Sequence, residues 1–250
     1  MPGGAPAGSK HRQIAGELHA AILAGEYPPG SRLPGENELM KEHGVSRWSA
    51  QQAIALLVSW GVAETRRGSG VYVRDFRPVI REGIQRLGTD TWQSGRSVWA
   101  EAEGRNLGID QIEVGMAEPP AHVRDILGLR VDEMAVRRSR RFLIDGKPVL
   151  LSRSWLSAGL AAGTPIAEPD TGPGGIYARL RDQGHGPARF REDLRARMPL
   201  PEESERLELT AGTPAVEIVR TAYDQDGTPI EVNEMIADGG AYVFRYEFDA

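Results

Sequence analysis

Residues 33–73 read LPGENELMKEHGVSRWSAQQAIALLVSWGVAETRRGSGVYV, and this stretch decides the fold of the N-terminal part of the chain. Its first two thirds contain two short helical segments, 35–42 and 47–59, separated by a sharp turn. The rest consists of two strand-like runs on either side of a glycine-containing tip at 66–70. Two helices, a turn and a tight hairpin in this order are typical of a winged helix-turn-helix, so the first function to test is DNA binding.

Local signals define the helices of this region. An earlier helix is predicted over 12–24, where apolar residues recur at helical spacing, and Gly25 followed by two prolines ends it. Ser46 has the side-chain oxygen that an N-cap needs at the start of the third helix. Leu57 and its apolar neighbours give that helix a face that can be buried.

The third helix carries long hydrogen-bonding side chains in its first turn, which is where a recognition helix contacts base edges. These are Arg47, Trp48, Ser49 and Gln51. Trp48 has two readings of equal weight, a contact to a thymine methyl or sugar, or a shield for the helix turn. The glycines of the wing tip permit close approach to a phosphate backbone, whereas the arginines of that tip could instead form a solvated hairpin end.

Residues 12–73 resemble the DNA-binding domain of the GntR family of bacterial transcription regulators. The resemblance is carried by GEYPPGSRL at 25–33, Leu33-Pro34 followed by Glu36-x-Glu38-Leu39, Val45-Ser46-Arg47, Ala53, and Gly61 before the wing. It implies DNA contacts from several positions of the turn and the wing. The predicted DNA-binding residues are Asn37, Ser46, Arg47, Trp48, Ser49, Gln51, Arg66, Arg67, Gly68, Ser69 and Gly70.

Two of these positions depart from the family pattern. The family commonly has Arg where this chain has Asn37 and again where it has Gln51. Asn and Gln pair bidentately with adenine, whereas Arg favours guanine. We therefore expect the operator of this protein to differ in base sequence from the operators of typical family members.

The C-terminal part of the chain contains one pattern twice. A helical segment at 119–129 is followed by a strand, Asp145-Gly146 and a second strand, and the same order begins again at 199–209 around Asp226-Gly227. Asp-Gly between strand-like runs is a strong hairpin signal. A further helix is predicted at 174–183 and a closing strand at 242–248. The pattern predicts a largely antiparallel sheet with related halves.

Residues 90–248 resemble the UTRA ligand-binding domain of the HutC subfamily of GntR regulators, whose R-x-x-x-x-D-G-x-P motif stands here at Arg140 to Pro148. The resemblance implies an α+β protein, in which the winged helix-turn-helix is joined to a chorismate-lyase-like α/β domain with a largely antiparallel sheet. It also implies a small effector bound between the halves of that domain, and a homodimer that reads a near-palindromic double-stranded DNA operator.

In relatives that sense sugar phosphates, an Arg matching Arg140 contacts the phosphate and a second Arg two residues later assists it. In this chain the second position is Phe142. Ser152 stands where those relatives often have an acidic residue, and Ala237 stands where they often have Tyr. These departures weigh against a sugar phosphate. The candidate effector-binding residues are Arg140, Phe142, Ser152, Ser154, Glu231 and Asn233, with Trp92, Trp99 and Tyr242 as secondary candidates. For Arg137, Arg138, Arg140 and Arg141 the alternative is an exposed strand paired with acidic neighbours.

The predicted organisation is a flexible tail at 1–10, the DNA-binding domain at 11–75, a linker at 76–89, and an effector-binding and dimerisation domain at 90–250. The net charge is −5, while residues 1–75 hold 8 basic and 7 acidic side chains, a net charge of +1. A near-neutral head supports DNA binding only weakly.

The sequence offers no catalytic constellation. It has no cysteine, and its five histidines are dispersed without metal-ligand spacing. We therefore expect no metal, no cofactor and no enzyme activity. No signal peptide or membrane span is recognisable, so we expect a cytoplasmic protein with no membrane partner. The predicted function is a sequence-specific transcription regulator, a repressor released by a small-molecule effector. The alternatives are a ligand-independent dimeric repressor and, remotely, a lyase-like enzyme.

Overall fold

A computed structural model describes residues 9–66, 68–75, 78–83, 87–88 and 104–248. The chain divides into two compact units, Met1–Arg77 with Leu209–Thr213, and Pro78–Glu208 with Pro214–Ala250. Among the predicted site residues, Arg67, Trp92 and Trp99 lie outside the described ranges. No helix within those ranges is long and apolar enough to cross a bilayer.

The first unit is a winged helix-turn-helix. Its elements are α1 (Lys10–Leu23), α2 (Glu36–His43), α3 (Arg47–Ser59), β1 (Ala63–Arg66) and β2 (Gly70–Val73), with β1 and β2 paired as an antiparallel hairpin. This confirms the fold predicted from residues 33–73.

Side-chain caps and glycines fix the ends of these helices. Ser46 Oγ accepts a hydrogen bond from the Ser49 backbone N–H at 3.3 Å, so Ser46 is the N-cap of α3. The Gly35 N–H donates to Glu38 Oε2 at 2.7 Å at the start of α2, and Gly44 ends that helix with a φ of 62°. One apolar core, which includes the fully buried Leu39, joins the three helices and the hairpin.

The second unit is built on six strands, β4 (Leu107–Ala117), β5 (Ala135–Ile144), β6 (Lys147–Ser157), β7 (Arg189–Arg197), β8 (Ala215–Tyr223) and β9 (Pro229–Asp238). They form an antiparallel sheet of order β4-β5-β6-β9-β8-β7. Two further strands, β3 (Val79–Glu82) and β10 (Tyr242–Arg245), pair in parallel as a separate two-stranded sheet. The helices of this unit are α4 (Ala121–Leu127), α5 (Ala158–Ala161), α6 (Gly175–Asp182) and α7 (Pro201–Arg206), and a 3-10 turn (Pro165–Ala167) lies between α5 and α6.

Three features of this unit were not specified by the sequence. Part of the predicted linker forms β3, where Val79 and Arg81 are buried. The closing strand predicted at 242–248 is present as β10, and it pairs with β3 in a parallel register that places Tyr242 beside Val79 in one apolar core. Strands β4 and β7, the two edges of the sheet, were not predicted at all.

The cross-strand register decides which side chains share a face of the main sheet. Arg140 lies opposite Ser152, and Ser154 lies opposite Asn233, so these four project from one face. Helix α6 contributes Tyr177 to an apolar core on this side. Trp155, one residue beyond Ser154, belongs to the other face and packs in the core that includes α4.

Candidate DNA-binding surface and effector cavity

The first turn of α3 and the start of α2 form a connected polar surface. Glu36 of α2 accepts a hydrogen bond from Arg47 Nε at 2.9 Å and from Gln51 Nε2 at 3.2 Å. The Arg47 side chain is nevertheless 66% exposed and that of Glu36 is 35% exposed. Glu36 therefore aligns two predicted recognition side chains while leaving them open to a ligand.

The wing borders the same concave surface, which is lined by Asn37, Arg47, Gln51, Arg66, Gly68 and Gly70. Arg66 donates to Glu64 Oε1 at 2.8 Å and stacks over the Tyr72 ring at 4.3 Å. Ser69 Oγ lies 2.6 Å from the Tyr72 hydroxyl. These contacts hold the side chains of Arg66 and Ser69 against Tyr72 of the wing.

Gly70 has a positive φ of 122°, and a Cβ built there would lie 3.3 Å from Arg32 Nε. Arg32 is exposed and lies 3.9 Å from Glu38 Oε2. Sequence reasoning missed both Glu36 and Arg32 as parts of this surface. The GntR motif itself contains both residues, but their positions relative to the wing depend on the tertiary fold.

Trp48 stands apart from this polar cluster. Its ring contacts His11 of α1 edge-on, with centroids 5.5 Å apart, and 61% of the residue stays exposed. The packing of Trp48 on α1 supports the interpretation that its ring shields the start of α3. The exposed part of the residue is accessible to DNA. Ser46 and Ser49, the other residues predicted here, hydrogen-bond to each other across the helix start at 3.2 Å.

In the second unit, all six candidate effector-binding residues line one cavity of about 70 Å³. Sequence reasoning missed four further lining side chains, Arg138, Ile176, Tyr177 and Arg220. Strands β5, β6, β8 and β9 supply the floor through their shared face, and the start of α6 supplies the rim.

Glu231 is the fully buried carboxylate of this cavity. Its Oε1 accepts from Ser154 Oγ at 2.6 Å, and its Oε2 accepts from the Tyr177 hydroxyl at 2.5 Å. Arg220, itself 2% exposed, places Nη2 at 4.0 Å from the same Oε2. Hydrogen bonds to an ionised group are stronger than neutral ones, so this network fixes α6 to the sheet.

Two more guanidinium groups complete the cavity. Arg138 donates to the backbone carbonyls of Ile166, Glu168 and Pro169, and Arg140 Nη2 donates to Pro169 O at 3.0 Å. Burial lowers the pKa of Arg138 to about 10, and the neighbouring charge of Arg140 adds to the effect. Burial likewise lowers the pKa of Arg140, which the charges of Asp170 and Glu231 partly offset. Burial therefore disfavours the positive charge of both groups, and the nearby carboxylates of Glu168, Asp170 and Glu231 favour it.

The four arginines of β5 divide into two pairs. Arg137 and Arg141 point away from the cavity and pair with Glu113 at 3.1 Å and Asp110 at 2.7 Å. The Arg137 side chain is 38% exposed, as the exposed-strand alternative proposed, whereas that of Arg141 is only 15% exposed. Arg138 differs from that alternative because it is buried, on the same face as Arg140. The secondary candidate Tyr242 is buried in an apolar core against β3 and does not line the cavity.

The fold and these two sites define a class of protein, a winged-helix transcription regulator with a separate ligand-binding domain. Comparisons with known proteins agree. Residues 10–73 match the family of bacterial regulatory proteins called gntR, and residues 102–242 match the UTRA domain. The chain therefore belongs to the GntR family with a UTRA domain, a pairing consistent with the HutC subfamily.

Individual relatives cover nearly the whole chain. An uncharacterised HTH-type transcriptional regulator of Streptomyces coelicolor is 29% identical over 98% of this chain and 94% of its own length. The HTH-type transcriptional repressor NagR of Bacillus subtilis is 25% identical over 95% of this chain and 93% of its own.

Two solved structures show the same fold. A crystal structure of a putative GntR-family transcriptional regulator has a TM-score of 0.65 at 26% identity, covering 97% of this chain and 98% of that one. PhnF from Mycobacterium smegmatis has a TM-score of 0.59 at 24% identity, covering 95% and 99%. The predicted fold class and the predicted function are confirmed at this level: the protein is a DNA-binding transcription regulator controlled by a small-molecule effector.

Proposed function

We propose that this protein is a homodimeric repressor that binds a near-palindromic operator through the first unit and releases it when an anionic effector enters the cavity of the second. One observation carries the proposal: the chain holds both an open, pre-aligned recognition turn and a cavity lined by buried guanidinium groups. NagR, a relative over nearly the full length, is named a repressor.

For the DNA side, we propose contacts from the predicted set of residues on the turn and the wing. Arg47 and Gln51 leave Glu36 for base edges or phosphates, and the glycines of the wing approach the backbone. A dimer is proposed because two identical heads match the symmetry of a palindrome, with half-sites set by the helical repeat of DNA.

We propose that DNA-binding residues belong to 11–75 and effector-binding residues to the domain that starts near 90. We also propose that the second unit binds and does not catalyse. Both Glu231 oxygens already accept strong hydrogen bonds, from Ser154 and Tyr177, so this carboxylate is poorly placed to act as a general base. A regulator of this kind works where the chromosome is, and we propose a cytoplasmic location.

The test begins with selection of genomic DNA fragments by the purified full-length chain. Footprinting of the selected fragments should show two symmetric half-sites, and analytical ultracentrifugation should show a dimer. A monomer that protects a single site would contradict the proposal.

Gel-shift titrations at fixed salt then compare Arg47→Ala with Lys41→Ala, which removes an exposed positive charge near the end of α2. The first variant should lose roughly 10-fold to 100-fold in operator affinity, the cost of a base or phosphate contact. The second should change affinity little. Equal losses in both variants would show that only general charge matters, and the assignment of α3 as the recognition helix would fall.

A further inference from the structure

The effector cavity opens beside a second, larger space. A groove of about 510 Å³ shares Arg140, Gly174 and Gly175 with the cavity, and it is walled by Ile109 and Ile112 of β4. The cavity alone, at about 70 Å³, has room for a few water-sized groups, well below the roughly 300 Å³ of a typical metabolite site. The two spaces together can hold a molecule with a small head and a longer body.

A β-bulge builds the wall of this groove. In a regular strand, residues 109 and 112 would face opposite sides of the sheet. The register of β4 against β5 shifts between Asp110 and Glu113, and Gln111 has a φ of 47°, which L-residues rarely adopt. The shift brings Ile109 and Ile112 to one groove, where they stay 47% and 44% exposed. A strained backbone that presents two apolar side chains to an open groove is a feature of binding sites.

The wall continues into the cavity as an apolar surface. Ile109 lies directly opposite Phe142 in the β4–β5 register, and Phe142 lines the cavity. The charged end has the three guanidiniums of Arg138, Arg140 and Arg220 and two carboxylates, Glu231 in the cavity and Asp170 at the groove, so positive charge is in excess by one. Arg140 stands at the junction, and its buried Nε has no hydrogen-bond acceptor among the described residues. Positive charge at one end and apolar surface at the other specify an amphipathic anion.

We propose that the effector is an organic monocarboxylate whose carboxylate enters the cavity at Arg140 and whose apolar chain or ring lies along Phe142, Ile109 and Ile112. This inference rests on the proposed function, because it takes the cavity to be the effector site. A sugar phosphate, whose body is hydroxylated, does not complement the isoleucine wall.

The test measures binding of straight-chain carboxylates from acetate to decanoate to the full-length dimer, by thermal shift and by calorimetry. Octanamide and octanol are neutral controls, and inorganic phosphate and glucose 6-phosphate are hydrophilic anion controls. Full burial of a methylene strengthens binding roughly fourfold, and a groove that covers one side should give roughly twofold per methylene. Affinity should therefore rise with chain length up to the length of the groove, and octanamide should bind at least 10-fold more weakly than octanoate.

Three variants locate the site. Arg140→Gln should remove binding of all the acids. Ile112→Ser should flatten the dependence on chain length and leave the binding of the shortest acids unchanged. Met116→Ser is the matched control, since Met116 is a 50% exposed apolar residue on the same strand that does not line the groove.

The outcomes separate this inference from the proposed function. A protein that is stabilised by phosphate or glucose 6-phosphate but not by octanoate, and that loses this response in Arg140→Gln, keeps its effector site and overturns the carboxylate class. Equal binding of octanoate and octanamide, or an unchanged chain-length dependence in Ile112→Ser, also overturns it. If none of the tested anions binds while operator DNA is still bound, the carboxylate inference falls, and the proposed anionic effector falls with it.

Discussion

The carboxylate of Glu231 gives the sharpest test of how the second unit is held together. Glu231→Gln keeps the shape of the side chain and removes its charge. Of the two charge-assisted hydrogen bonds, from Ser154 at 2.6 Å and Tyr177 at 2.5 Å, one becomes a neutral bond to the amide oxygen, and the other must reverse so that the amide N–H donates to the hydroxyl. A hydrogen bond to a charged group contributes about 1.5–3 kcal/mol against about 0.5–1.5 for a neutral one, so the two together lose about 2–3 kcal/mol.

The loss of charge also removes the partner that Arg220 has at 4.0 Å. Breaking a buried ion pair costs about 3–5 kcal/mol when one partner is deleted outright, and the isosteric change should stay at the lower end of that range. The two estimates describe the same loss of charge and are not additive, so we expect a destabilisation of about 3 kcal/mol in all. For a unit of this size that corresponds to a fall in Tm of roughly 6–12 °C.

The assay is urea and thermal unfolding of the full chain, monitored with a spectroscopic probe in the second unit. DNA binding at low temperature checks that the first unit is intact. The matched control is Glu113→Gln, which neutralises an exposed pair with Arg137 and should cost at most about 0.5 kcal/mol. Below its Tm, Glu231→Gln should also bind an anionic probe more tightly, because the cavity gains net positive charge. A cost no larger than that of the control would refute the reasoning.

Three further predictions concern other parts of the molecule. Glu36→Gln removes a negative charge from the surface and frees Arg47, so it should strengthen binding to nonspecific DNA by roughly twofold to fivefold. The ratio of operator affinity to nonspecific affinity, measured in competition gel shifts, should fall. Ser46→Ala removes the cap of α3 and should destabilise the first unit by about 1 kcal/mol in urea melts; a cost below about 0.3 kcal/mol would contradict the capping role. The hydrogen bond from Arg197 holds the pKa of Glu203 below its usual value, so its contribution is complete above the unfolded pKa of about 4.3 and disappears as pH falls through the lower folded pKa. The difference in urea midpoint between wild type and Glu203→Gln should therefore shrink steadily as the pH falls from about 4.3 towards the lower folded pKa, and a difference that stays constant over that fall would contradict the assignment.

The head could be predicted almost completely because its signals are local. Gly25 and Gly44 both have positive φ at helix ends, and Ser46 caps α3, as their residue types indicate. Helices of this kind are specified within a few residues of their own sequence. What the sequence could not give was the tertiary contact between Glu36 and the recognition turn, since those residues are brought together by the angle between two helices.

The second unit shows where pattern reasoning stops. The central hairpins carry Asp-Gly turns and were found, whereas the edge strands β4 and β7 expose most of their residues and show no apolar alternation. The parallel pairing of β3 with β10 joins residues about 160 positions apart, which no local pattern encodes.

The six candidate effector residues do meet in one cavity, but the buried arginines were missed because strand arginines usually face solvent. A signal was present for Arg138. It alternates with Val136 and Phe142, so the period of a strand places it on the buried face.

Each of the two sites contains a pair of one glutamate and one arginine, and the two pairs differ in burial. The burial of each pair determines whether a ligand can displace it. On the head, Glu36 holds Arg47 where the pair is 35% and 66% exposed, so solvent screens the attraction and a phosphate or base can take its place at little cost. In the cavity, Glu231 faces Arg220 where both are almost fully buried, so that pair stays in place when a ligand arrives. An incoming anion must therefore be bound by the remaining guanidiniums. Arg138 is already committed to three backbone carbonyls, which leaves Arg140, at the junction with the groove, as the residue that decides whether an anion is held.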